Sequence, residues 1–335
     1  MMRIFVYEWT CASISGTGPA REALRAEGQA MLAAVLEDFN RIEGVVASTL
    51  LAPDVRSSFP SHQVHPAELG NEDSVFRRLT QEADYTLVIA PECQDLLWTR
   101  CRWVEEAGGR LLGPDAQAVQ LTGDKLALSR HWQKLAIPTP DSHLTGASTP
   151  WARMSYPAVW KPRQGAGSQR TFLLRSPEDV ARAAEAVRDE GAEERILQPF
   201  VPGRAASVAF LIGPEQRVPL LPAAQHLSTD GRFHYLGGEA PLPAELSARA
   251  VELAERAVRT VPGLRGYVGV DLVLGEAGDG SQDQVLEINP RLTTSYLGLR
   301  SLARANLAER MLQLAGGATI PPLSWKSGKI SWHIP

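Results

Sequence analysis

The sequence predicts an α/β protein: a parallel sheet wrapped by helices over residues 1–113, then two mixed α+β regions, 114–200 and 201–335. Three observations predict it. At 335 residues the chain exceeds the size at which a single hydrophobic core keeps growing, so two or three domains are expected. Short apolar runs alternate with helical stretches through the first hundred or so residues, the pattern of a parallel sheet covered on both faces. Further on, apolar runs come in pairs joined by turn-rich segments, which read as hairpins.

RIFVY (3–7) is the first strand, ending at Glu8 and followed by a Ser- and Gly-rich loop. Over 20–42 the apolar residues Leu24, Met31, Leu32, Val35, Leu36, Phe39 and Ile42 recur at helical intervals, giving an amphipathic helix. VVASTLL, a helix near 74–82, the strand YTLVIA, a helix through 98–107 and RLLG follow. In such a sheet ligands bind beyond the carboxyl ends of the strands. Glu8, the loop 13–18 and Pro91–Glu92 fall there.

The second region holds a helix from Lys125 that stops before Pro138, the strand YPAVWKP, the loop RQGAGSQR and the strand TFLL. A helix follows, with Ser176 as expected N-cap and Pro177 at its first position, and then RILQPFV. The third region has strands at ASVAFLI, RVPLL, GYVGVDLVLG and QVLEINP, helices over 244–260 and near 300–315, and a closing tail with no assigned role. The turn-rich GEAGDGSQD between the last two strands makes them a hairpin.

Composition sets outer limits. With 44% apolar and 21% charged residues the chain is an ordinary globular one, and a net charge of −4 argues against a nucleic-acid or anionic-membrane partner. No apolar run reaches the roughly 20 residues that span a bilayer. The start reads as a strand and not as a leader. Cys11, Cys93 and Cys101 are an odd set without CxxC spacing, which suggests a reducing, cytoplasmic setting without disulfides or zinc.

Two places carry chemistry. Residues two apart on a strand share a face, so Glu287 and Asn289 project together, with Asp271 on the partner strand beside them. Three oxygen-bearing side chains suit a hard cation such as Mg²⁺, or else make a merely polar sheet face. The second place is RQGAGSQR. Gly165, Ala166, Gly167 and Ser168, directly after a strand, can turn backbone N–H groups toward a phosphate, though the same turn suits a plain hairpin. Lys161, at the end of the preceding apolar strand, must reach solvent or meet an anion.

Taken in order, DKLALSRHWQKLAIPTP, VWKPRQGAGSQR, LQPFVPGRAASV, GVDLVL and LEINPR resemble the ATP-grasp carboxylate–amine ligases over about residues 114–315. The resemblance implies a Rossmann-like domain followed by two α+β subdomains that sandwich ATP. It implies that Lys125 and Lys161 hold the phosphates and that Gly165–Ser168 cover them. Gln198, Pro199, Phe200 and Val201 would form the hinge beside adenine. Asp271, Glu287 and Asn289 would hold Mg²⁺, with Mn²⁺ as a substitute, and Arg291 would stabilise the transferred phosphoryl group. Where many members carry acids in the hinge, this chain has Pro199 and Ala205, which leaves the ribose contact unassigned.

EINPRLTTSYLGL, FVYE and IAPE look more narrowly like tyramine–glutamate ligases of methanofuran biosynthesis. That likeness implies small amino-acid and amine substrates, joined through an acyl phosphate, and admits a homodimer. Glu8, Glu92, Thr293, Thr294, Ser295 and Tyr296 are the expected substrate residues. Three alternatives stay open: a ligase for another acid–amine pair, a member that stops at phosphoryl transfer, and an ATP-binding regulatory module without turnover.

Overall fold

The structure is a computed structural model, and it describes residues 1–13, 19–55, 63–68, 70–188 and 193–333. Most of the loop expected at 13–18 lies outside the described residues.

The first region contains β1 (Met2–Glu8), α1 (Trp9–Ala12), α2 (Pro19–Asn40), β2 (Val45–Leu51), β3 (Val64–Pro66), α3 (Glu72–Glu82), β4 (Tyr85–Ile89) and α4 (Leu96–Glu106). Its strands pair parallel in the order β3-β2-β1-β4, as the alternation of apolar runs and helices predicts. RLLG adds only a single parallel bridge, Thr86 to Leu111. The two helices that follow are α5 (Ala116–Gly123) and α6 (Lys125–Lys134).

The smallest sheet is built from β5 (His143–Thr145), β6 (Ala158–Pro162), β7 (Phe172–Leu174) and β8 (Arg195–Pro199), in the order β5-β8-β6-β7, with α7 (Asp179–Glu185) beside it. Ser176 does not cap α7. The helix begins at Asp179, whose carboxylate turns back to accept from the Arg175 N–H, so the chain spends one more turn reaching the helix than the Ser-Pro pair predicts.

The largest sheet comprises β9 (Arg204–Ile212), β10 (Arg217–Pro219), β11 (Ala223–Leu227) and β12 (Tyr235–Ala240), then α8 (Ala244–Arg259), β13 (Gly266–Leu274) and β14 (Gln284–Asn289). After α9 (Ser295–Leu302) and α10 (Leu307–Ala315), the tail adds β15 (Ile330–His333). The order is β14-β13-β9-β11-β12-β15, with β10 on the end of β9. The tail is therefore an edge strand. Its Trp332 indole lies flat against Gly238 and Gly298, where an added Cβ would come within 2.6 and 2.2 Å of the ring, and it donates to the Tyr235 hydroxyl at 2.9 Å.

Each face of the large sheet has its own core. One face packs on α8, α5 and α6 through Leu128, Trp132, Val258, Val270 and Val285, so both helices after the first region lie on the large sheet. The other face shares one continuous cluster with the first region: Leu32, Val35 and Phe39 of α2 meet Leu211, Leu299 and Met311. A buried ionic knot locks this seam. Asp38 accepts from the Tyr296 hydroxyl at 2.6 Å and from Arg300 at 2.7 and 2.5 Å. Asp38→Ala strands a partly buried arginine and a buried hydroxyl, and is expected to cost about 3 kcal/mol in urea unfolding. A midpoint within error of the parent would show that the seam does not depend on it.

Candidate active site: a charged cleft between the small and large sheets

Between the small and large sheets, with α2 of the first region as a third wall, lies a cavity of about 840 Å³. The floor is the β13–β14 hairpin. Antiparallel pairing sets Asp271 directly opposite Glu287 and Gly269 opposite Asn289, so all three polar side chains stand on the cavity face. The Asn289 amide donates to Asp271 at 2.9 Å, and Gln225 of β11 donates to the other carboxylate oxygen at 2.9 Å.

Two lysines border the cavity near the end of β6, where the Lys125 backbone N–H donates to the Arg163 carbonyl at 3.0 Å. Lys125, the first residue of α6, donates to the Gly165 carbonyl at 2.6 Å and pairs with Glu287 at 3.4 Å. Lys161 ends β6, is 8% exposed, and its ammonium makes no hydrogen bond or ion pair with any described residue. Burial pushes its pKa down to about 8, against the pull of the Glu287 charge. A largely buried side chain whose ammonium opens on the cavity without a hydrogen-bond partner is suited to an anion.

The acids show the mirror-image imbalance. Burial and the neighbouring Glu287 charge push Asp271 up to about 7. For Glu287, burial works in the raising direction but the two lysines win, and its carboxyl is held low. Two half-buried carboxyls thus face each other with their charges opposed, a crowding that a cation would relieve.

The glycine loop runs along the small-sheet wall. Gly165 and Gly167 take φ of +144° and +67°, conformations that disfavour other residues. Ser168, at +55°, follows in the same left-handed region. Arg163 anchors the loop base through a two-armed pair with Asp124, which itself caps α6. Gly165, Ala166, Gly167 and Ser168 all line the cavity.

Of the hinge, Gln198, Phe200 and Val201 line the cavity while Pro199 faces outward, because alternate residues of β8 point to opposite faces. The Phe200 ring stacks on Phe233 at 6.1 Å and 24°. The Phe200 N–H is already bonded to the Pro157 carbonyl at 3.0 Å. Ala205 and Ser207 line the cavity from β9, where they pair with Val273 and Asp271 beside the floor.

Arg291 projects into the cavity from beyond Pro290, held by both oxygens of Glu92 at 2.9 and 3.2 Å. Glu92 is therefore a clamp on the arginine and not an exposed substrate contact. Glu8 is corrected too: buried, it caps α1 by accepting from Thr10 and the Cys11 N–H, away from the cavity. Tyr296 is fully buried on Asp38, as the seam requires. Thr293, Thr294 and Ser295 do line the cavity, with the Tyr267 hydroxyl 2.8 Å from Ser295. His234 sits at the rim and is exposed, while His226 is outside.

Sequence reasoning missed Glu27, Gln225 and Tyr235, which also line the cavity. Glu27 follows Leu24 on α2 at the i+3 spacing, so helical phase alone places it on the face that the apolar residues define.

Residues 122–295 match the family pattern described as an ATP-grasp domain, just over half the chain, and 45–119 match the pre ATP-grasp 3 domain. The chain belongs to the ATP-grasp family. It is similar to the tyramine–L-glutamate ligase of Methanocaldococcus fervens, 26% identical over 93% of this chain and 94% of that protein. In fold it resembles an ATP-grasp superfamily protein from Archaeoglobus fulgidus, with a TM-score of 0.72 and 23% identity over 96% of this chain and 90% of that one. A biotin carboxylase from Campylobacter jejuni, solved as a β-γ-ATP complex, aligns at TM-score 0.75 and 15% identity over 97% of this chain and 74% of that one. As an ATP-grasp protein with ligases among its relatives, the chain is an ATP-dependent enzyme that forms C–N bonds. None of its described helices is long and apolar enough to cross a membrane.

Proposed function

We propose that this ATP-grasp enzyme activates a carboxylate as an acyl phosphate and passes it to a primary amine, with glutamate as the acid and a tyramine-like molecule as the amine. The observation that carries the reading is the unpartnered, buried Lys161 facing the Asp271–Glu287–Asn289 hairpin across one cavity. Polyphosphate needs both halves of that arrangement, cationic donors on one side and carriers for a cation on the other. The tyramine–L-glutamate ligase likeness over most of the chain supports the substrate pair.

The donor set fits Mg²⁺. It is all oxygen, and two carboxyls crowd each other as though a positive charge belonged between them. Among the described residues no three Asp, Glu, His or Cys side chains gather. Two carboxylates and one amide leave room for phosphate oxygens and water, as Mg²⁺ prefers. When bound, the ion neutralises charge on the phosphates.

The chain's own groups do the remaining work. Lys161 and Lys125 hold the phosphates, and the N–H groups of 165–168 cover them. The substrate carboxylate attacks the γ-phosphorus and ADP leaves. Arg291, kept flat by Glu92, steadies the resulting acyl phosphate with the N–H groups that the clamp leaves free. Amine attack on the acyl carbon then expels inorganic phosphate. The test is ADP release with glutamate, ATP, Mg²⁺ and a panel of amines, scored by the mass of the amide. Amide with tyramine is expected. ADP release with another acid and never with glutamate would sink the narrow assignment, and no ADP release with any acid the whole reading.

A further inference from the structure

The wall that α2 contributes carries one charged group the steps above do not use. Glu27, with the apolar Ala23 and Leu24 one helical turn before it, borders the cavity together with Thr294 and Tyr235. Among the described residues its carboxyl accepts no hydrogen bond and forms no ion pair within 4 Å. Arg291 is close enough for the two charges to act on each other, but its fork is committed to Glu92. Glu27 is thus a carboxylate bordering the reacting end of the cavity, with no cation of its own to bind. Burial raises its pKa, with Arg291 opposing, and Glu8 buried behind it adds to the rise. The same wall bears no other described acid, since Glu8 is turned inward as a helix cap.

We propose that Glu27 receives the ammonium group of the amine substrate and takes its proton as the amine attacks. The inference rests on the ligase reading above and deepens it by assigning the amine end of the site. A primary amine near neutral pH is an ammonium ion with no free electron pair, so one proton must leave before attack. The steps balance. One N–H proton passes to Glu27, and the freed nitrogen pair forms the C–N bond to the acyl carbon. The C–O bond to phosphate breaks with its electrons on the phosphate oxygen. The second proton lost by nitrogen leaves on that phosphate as HPO₄²⁻, and Glu27 returns its proton to solvent. Ala23 and Leu24 beside the carboxylate suit an amine whose body is apolar, so that methylene or aromatic carbon packs on the helix while the charged end meets Glu27.

Hydroxylamine separates this role from a structural one. It is largely uncharged at pH 7.5, needs no ammonium site, and traps acyl phosphates as hydroxamates. Wild-type protein and Glu27→Gln are compared with ATP, Mg²⁺ and each acid, using either the best amine of the panel or hydroxylamine. Glu22→Gln, an exposed change on the same helix, serves as control, with matched thermal melting to show that α2 is intact. The ratio of amide to hydroxamate rates is expected to fall roughly 100-fold in Glu27→Gln, the size of a lost general base, and to stay unchanged in Glu22→Gln. Equal losses with both nucleophiles, or no loss, overturn the role of Glu27 while leaving the ligase standing. A wild-type protein that makes hydroxamate from no acid overturns the ligase reading, and this inference with it.

Discussion

Glu287→Ala is expected to lower ADP formation about a thousandfold, the largest single effect in the molecule. The substitution acts in three ways at once. It removes an oxygen from the hairpin proposed to hold the cation, frees Lys125 from its 3.4 Å partner, and takes away the negative charge that attracts the buried Lys161. Folding should be spared, because the change also ends the crowding of two half-buried carboxyls that pushes Asp271 upward. Thermal melting at or above the parent value, together with loss of turnover, is therefore the signature. Glu276→Ala, on the exposed turn of the same hairpin, should leave both untouched. A Glu287→Ala enzyme running within about threefold of wild type would remove the hairpin from the chemistry.

Arg291→Lys comes next, with an expected fall of roughly 100-fold in kcat. Charge is retained, yet a single ammonium cannot present two parallel donors to Glu92 and still offer a flat face to the cavity. Glu92→Gln tests the clamp from the other side. It keeps one acceptor oxygen and should cost roughly tenfold, seen as a higher KM for the acid with the KM for ATP little changed. Identical losses in the two variants, with KM for ATP rising in both, would mean that the pair holds the first region in place and nothing more.

Much of this site was legible before any coordinates. The two-residue spacing of Glu287 and Asn289 fixes a shared face, and the hairpin turn fixes the partner strand, so the Asp271 position follows from local rules. Lys161 stood out because an ammonium at the end of an apolar strand must reach solvent or meet an anion. Glu8 and Glu92 show where local rules stop. Both end strands at the crevice, and nothing in sequence tells a cap on the next helix from a clamp on an arginine far along the chain. The Pro199 side chain faces outward for a simpler reason: it ends β8, where alternate residues point to opposite faces and Gln198 takes the inward one. Glu27 was missed because it reads as one more polar residue on a long helix until the opposite wall is in place. The division of the chain also looks different in three dimensions. Helix α6 follows the first region in sequence but buries Leu128 and Trp132 on the large sheet, while α5 divides its apolar residues, Ala116 and Val119 toward the first region and Ala118 toward the large sheet, a long-range preference that periodicity cannot express.

The clasp between Glu92 and Arg291 joins residues 199 positions apart, one from each end of the chain's architecture. It makes the first region and the hairpin a single unit of inheritance. A recombinant that borrowed its opening domain from another family member would carry the lysines, the glycine loop and the hairpin intact. Its arginine would nevertheless be aimed by whatever the foreign strand end supplied.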